Sequence, residues 1–144
     1  MIILTVEEII EAHSRLIQKT GGLNGIRDRA LLESAVFNIL SSFDGLDVYP
    51  SIEEKAARLM YSLVKNHSFL DGNKRIGVLA MLLTLNLNDV KLSYSQKELI
   101  ELGLGTANGT LGYDKILAWI KAHEDYIYKS QSNIIWIVIS EKFG

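Results

Sequence analysis

Three features of this 144-residue chain predict an all-α fold. Apolar residues recur three and four positions apart in one segment after another. Helix-start signatures stand ahead of several of those segments, and glycines fall where they stop. A β-branched run without charge occurs only near the end.

The first helix starts after Thr5, where Glu7 and Glu8 suit the positive end of a helix dipole. Ile9, Ile10, His13, Leu16 and Ile17 then recur at helical spacing until Gly21-Gly22. Asp28 is placed to cap a second helix carrying Leu31, Leu32, Ala35 and Val36. The polar stretch from Ser41 to Pro50 holds the single proline and fits either a loop or a short hairpin. Ser51 and Glu54 form a capping-box pattern that opens a helix through Ala56, Leu59, Met60, Leu63 and Val64, ending near His67. Residues Arg75 to Asn86 are apolar nearly all round, the pattern of a helix at the centre of its domain. Ser95 to Leu104 reads as a further helix, residues 103–112 as a glycine-rich loop, and Tyr113 to Tyr128 as a last amphipathic helix. Residues 134–139, Ile-Ile-Trp-Ile-Val-Ile, read as a strand, the one β-like element of the tail.

Composition narrows the function classes. Hydrophobic residues make up 48% and charged residues 22%, the balance of a globular domain. The length suits a single domain with a sizeable core. A net charge of −2 gives no case for binding nucleic acid or an anionic membrane. There is no cysteine, so disulfides, thiolate catalysis and Cys-based zinc sites are excluded. The first residues lack a basic region and a cleavage site, and no apolar run approaches the ~20 residues of a membrane span. The expectation is a soluble cytoplasmic protein.

Chemistry concentrates in residues 67–75, His-Ser-Phe-Leu-Asp-Gly-Asn-Lys-Arg. The His67 imidazole is a candidate base. The Asp71 carboxylate is a candidate ligand for a hard cation such as Mg²⁺. Gly72 and Asn73 bend the backbone and expose N–H groups at the start of the apolar helix, a ready anion site. Lys74 and Arg75 add positive charge for phosphate oxygens. A base, a metal ligand and a phosphate cradle together describe phosphoryl or nucleotidyl transfer. Phe69 is expected to anchor this loop in the core, with Ser68 and Leu70 as filler. His13 is expected in a structural or surface role, His123 on a solvated face, and Arg27, Asp28, Arg29 and Glu33 on a solvated face with capping duties. The Gly103-x-Gly105 pair follows no strand, so it is not a dinucleotide fingerprint, and no Walker-type loop is present.

Residues 67–75 resemble the signature of the Fic/Doc family, His-x-Phe-x-(Asp/Glu)-(Gly/Ala)-Asn-(Gly/Lys)-Arg, and Lys74 matches its Doc branch of toxins. Gly21-Gly22-Leu23, Arg27-Asp28, Leu31 to Ala35, Tyr49-Pro50 and Lys55 to Ala57 look similar to that branch as well. The resemblance covers residues 1–125, and it suggests a family domain over 1–128 with a C-terminal extension over 129–144. It implies a helical fold with the motif loop between two central helices and a β-hairpin flap within residues 41–52. It also implies ATP as cosubstrate, Mg²⁺, and a protein hydroxyl as acceptor. On that pattern His67 is the general base, Asp71 holds Mg²⁺, Gly72, Asn73 and Lys74 cradle phosphate, and Arg75 neutralises developing charge.

Family members commonly transfer AMP, whereas Doc is a kinase that phosphorylates elongation factor Tu. Two departures from the AMP-transferring pattern favour phosphorylation here. Val78 stands where a second arginine contacts the terminal phosphate, and Lys74 replaces a small glycine. The alternatives are a protein adenylyltransferase and a catalytically silent binding domain. No glutamate has Ser or Thr four residues before it, so the family's self-inhibiting helix pattern is missing. The resemblance then implies an external antitoxin as partner.

Overall fold

The structure, a computed structural model, describes residues 1–125. Helix α1 (Val6–Thr20) opens on a reciprocal cap: Glu8 N donates to Thr5 Oγ1 at 3.1 Å and Thr5 N donates to Glu8 Oε1 at 2.9 Å. The apolar stripe expected from spacing is the buried one, with Ile9 and Leu16 fully enclosed. Asp28 caps α2 (Arg29–Asn38) by accepting from Leu31 N.

Residues 41–50 resolve to the hairpin rather than the loop. Strands β1 (Ser42–Phe43) and β2 (Leu46–Asp47) pair antiparallel, Ser42 with Asp47 and Phe43 with Leu46. Asp44 and Gly45 between them both have positive φ (53° and 79°), as the tight turns that match strand twist require. The hairpin stands away from the core, with Phe43 and Leu46 exposed. Its base is held by the buried Lys55, whose ammonium donates to Tyr49 O and lies 3.5 Å from Asp47 Oδ2.

Helices α3 (Ile52–Asn66) and α4 (Asn73–Leu87) pack on each other more extensively than any other pair. Around them lie α1, α2, α5 (Gln96–Ala107) and α6 (Tyr113–Ala122). Ile76, Val78, Leu79, Met81 and Leu85 of α4 are enclosed, so the helix that is apolar all round is the centre of the core. The chain turns from α3 to α4 through residues 67–72. The motif loop therefore joins the two central helices.

Three expectations need correction. Helix α5 runs on to Ala107, through the glycines read as the start of a loop. Gly103 and Gly105 are buried there, and a Cβ on Gly105 would lie 2.6 Å from Leu111 Cδ1. These glycines admit close packing instead of breaking the helix. Helix α6 stops at Ala122, because His123 closes it and Glu124 bridges to Leu92. His123 is not on a solvated face: its ring stacks on Trp119 with centroids 4.0 Å apart, and Nε2 lies 2.5 Å from Glu98 Oε2. That contact and the N–H and hydroxyl of Ser95 hold the Glu98 carboxyl down at about 2. The predicted strand over 134–139 and the boundary at 128/129 lie outside the described residues. No helix among the described residues is long and apolar enough to cross a membrane.

Candidate active site

His67 terminates α3 in the left-handed region, φ 52° and ψ 50°. A non-glycine residue there costs roughly 1–3 kcal/mol unless its surroundings hold it. The holding group is Arg27: Nε donates to His67 O at 2.5 Å and Nη2 to Asn66 O at 2.9 Å. Arg27 therefore belongs to the site, while Asp28 caps α2 and Arg29 pairs at the surface with Glu7 at 2.8 Å and Glu33 at 4.0 Å. The His67 side chain stays exposed.

Behind His67 the loop is locked from inside. Phe69 is buried, as expected, and the His13 ring stacks on it with centroids 3.8 Å apart and planes 11° apart. Asn73 closes the turn with both ends of its amide, accepting from Phe69 N and donating to Phe69 O, each at 3.0 Å. Ser68 is more than filler: it is fully buried, and its carbonyl accepts from the N–H groups of Arg27 and Asp28. His13 is interior and not at the surface, with Nε2 donating to Asp71 O at 2.7 Å.

Asp71 sits at the bend before α4. Its Oδ1 accepts from Gly72 N at 2.8 Å and its Oδ2 from Leu23 N at 3.1 Å. Those two N–H groups, and then the Arg75 charge, hold its carboxyl below the usual range, so it is ionised at neutral pH. Gly22 makes room for it, since a Cβ there would fall 2.5 Å from Asp71 Oδ2. Gly72, at φ 74°, caps α4 without a side chain and leaves the first-turn N–H groups of Asn73, Lys74 and Arg75 without intrahelical partners. Lys74 is partly exposed at this end. Arg75 is buried and turns the other way: Nη1 donates to Thr20 Oγ1 and Gly21 O at 2.5 and 2.8 Å, and Nη2 lies 3.4 Å from Asp71 Oδ1.

The predicted residues thus share one loop and helix start, but they divide by direction. His67, Asp71 and Lys74 reach solvent, while the side chains of Asn73 and Arg75 serve the scaffold. Among the described residues no three or more His, Cys, Asp or Glu side chains cluster as metal ligands. One ionised, half-exposed carboxylate fits Mg²⁺ bound mainly through phosphate oxygens and water, the usual manner for this ion. It does not fit an all-protein cage.

This packing has a pH signature. Burial lowers the His13 pKa, and its hydrogen bond to Asp71 O only partly opposes this. Its folded value lies below the unfolded one, so the unfolded chain binds more protons as pH falls below about 6.5. The stabilisation is complete above that pH and lost on acidification. Urea midpoints measured from pH 8 to 5 should fall for the wild type and fall less for His13→Gln. Equal slopes for the two proteins would refute the assignment. Asp71, also depressed, adds a second loss only below its unfolded value near 3.8.

Residues 3–85 match the Fic/DOC family. The chain is 41% identical over 73 residues to Toxin Doc of Mycolicibacterium smegmatis, covering 51% of this chain and 56% of that protein. It is 26% identical over 113 residues to Protein kinase doc of Escherichia phage P1, covering 78% of this chain and 88% of that protein. The match therefore spans little more than half the length of the mycobacterial toxin and most of the phage kinase. With more than half its length matching the family, and with the motif folded between two central helices, this chain belongs to the Fic/DOC family.

Proposed function

We propose that the protein is a Doc-type toxin that transfers the terminal phosphoryl group of ATP to a Ser or Thr hydroxyl of a cytoplasmic translation factor such as elongation factor Tu. The observation that carries this reading is the meeting, at one helix start, of an exposed imidazole on a fixed backbone, an ionised carboxylate and free N–H groups. Chemistry of this kind needs positioning and charge stabilisation more than covalent participation.

His67 takes the proton of the acceptor hydroxyl as its oxygen bonds to phosphorus and the bridging P–O bond to ADP breaks. Asp71 would hold Mg²⁺, which supplies positive charge to the phosphate oxygens when bound. The Gly72 N–H is taken by Asp71 Oδ1, so the N–H groups of Asn73 and Lys74, with the Lys74 ammonium, receive the phosphate chain at the start of α4. Arg75 contributes its charge from behind, through Asp71 and the Gly21 carbonyl.

Phosphoryl transfer is favoured over AMP transfer by Val78. Its side chain is fully buried in the α4 core and presents no cation to a terminal phosphate. The name of the phage relative, Protein kinase doc, agrees with this. The toxin name of the other relative, and the missing self-inhibiting pattern, favour a separate antitoxin that restrains the enzyme.

Intact-mass spectrometry of elongation factor Tu, after incubation with this protein, ATP and Mg²⁺, tests the reading. A gain of about 80 Da is expected, whereas about 329 Da would establish AMP transfer. An unmodified factor would remove it as the acceptor.

A further inference from the structure

We propose that Arg27 is a positioning residue for this reaction: by clamping the last carbonyls of α3 it holds His67 in the left-handed conformation from which the imidazole works as base. The proposal rests on the phosphotransfer reading above and adds a residue some forty positions from the motif.

The last carbonyls of any helix lack intrahelical partners, and a glycine at a left-handed C-terminal position commonly restores them through backbone N–H groups. Here histidine occupies the left-handed position. Both carbonyls at the bend, Asn66 O and His67 O, are met by one guanidinium through Nη2 and Nε. The planar fork of arginine suits two neighbouring acceptors, and its charge suits the negative end of a helix. The backbone continues the clamp. The N–H groups of Arg27 and Asp28 donate to Ser68 O at 2.8 and 2.9 Å, Ile26 bridges Phe69, and Leu70 N donates to Gly25 O at 3.0 Å. Residues 25–28 therefore run antiparallel to 67–70, and the carbonyls of residues 66, 67 and 68 all accept from Arg27.

The side chain of Arg27 is nevertheless exposed and fills no part of the core. Truncating it removes hydrogen bonds at the bend and leaves the ladder formed by its neighbours. A purely structural cap would lower the folded fraction. A positioning residue lowers turnover of protein that remains folded.

Arg27→Ala and Arg27→Lys are compared with the wild type in steady-state transfer from ATP to elongation factor Tu, with Mg²⁺ present. The alanine variant should lose about 100-fold in kcat, with KM for ATP changed by less than about twofold. The lysine variant should fall between, because one ammonium cannot reproduce the two-pronged contact. In parallel, the ¹³Cα and ¹³Cβ chemical shifts of His67 should leave left-handed values in Arg27→Ala. Wild-type kcat in the alanine variant, or a loss matched by its unfolded fraction, would overturn the proposal. Should the wild type transfer nothing to this acceptor, the phosphotransfer reading fails by itself. The chemical shifts then decide the clamp, and unchanged His67 shifts in Arg27→Ala overturn it.

Discussion

Replacing His67 with asparagine should remove transfer while leaving the melting temperature close to that of the wild type. The expected loss is about 100- to 10,000-fold, the usual worth of a positioned general base. Asparagine is the informative substitution because it tolerates left-handed backbone, whereas alanine there adds strain of roughly 1–2 kcal/mol. No other histidine can take over. His13 is buried behind Phe69 with its Nε2 committed to Asp71 O, and His123, at the end of α6, lies against Trp119 and against Glu98 of α5. Single-turnover transfer to elongation factor Tu, measured beside a thermal melt, separates chemistry from folding. A variant within about threefold of the wild-type rate would refute the base assignment and leave His67 as a helix terminator.

The candidate site was legible in the sequence wherever its parts are local. Residues 67–75 carry the candidate base, the carboxylate, the bend and the helix start within nine positions, and a change from helical periodicity to an Asp-Gly break marks where they fold. The Ser51–Glu54 cap and the all-apolar face of α4 likewise depend on short spacings. What could not be read is what reaches across the chain. Arg27 looks like any solvated arginine beside an N-cap, because nothing near it announces the carbonyls of residues 66 and 67. His13 sits on an apolar stripe, and only the packing of α1 against the motif loop brings its ring onto Phe69. The glycines of α5 misled for a related reason. Glycine ends a helix when solvent surrounds it, but Gly105 lies against Leu111, where closeness matters more than propensity.

Asn73 and Arg75 show the same limit in side-chain direction. Sequence placed both among phosphate contacts because of their charge or polarity. The structure turns the Asn73 amide onto Phe69 and the Arg75 guanidinium onto the end of α1. On the proposed reading, the groups left to receive phosphate at the start of α4 are backbone N–H groups and Lys74. The preorganisation that electrostatic catalysis requires comes from the buried polar side chains behind them.

Arg75→Ala should therefore behave unlike His67→Asn, losing stability as well as activity. Arg75 is 7% exposed, and its guanidinium serves three acceptors: Thr20 Oγ1, Gly21 O and Asp71 Oδ1. Removing it strands the Gly21 carbonyl and leaves Asp71 without its nearest cation. The expected cost is about 3 kcal/mol, from unmade hydrogen bonds to a charged donor. For a domain of this size that corresponds to a melting temperature lower by about 10 °C. Arg75→Lys should recover only part of it, since one ammonium cannot meet three acceptors held in a fork. An Arg75→Ala protein that melts with the wild type but fails to transfer phosphate would return Arg75 to the role first read from the sequence, direct neutralisation of developing charge. A joint loss would instead make Arg75 the tie through which α1 and the Gly21-Gly22 turn keep Asp71 in place.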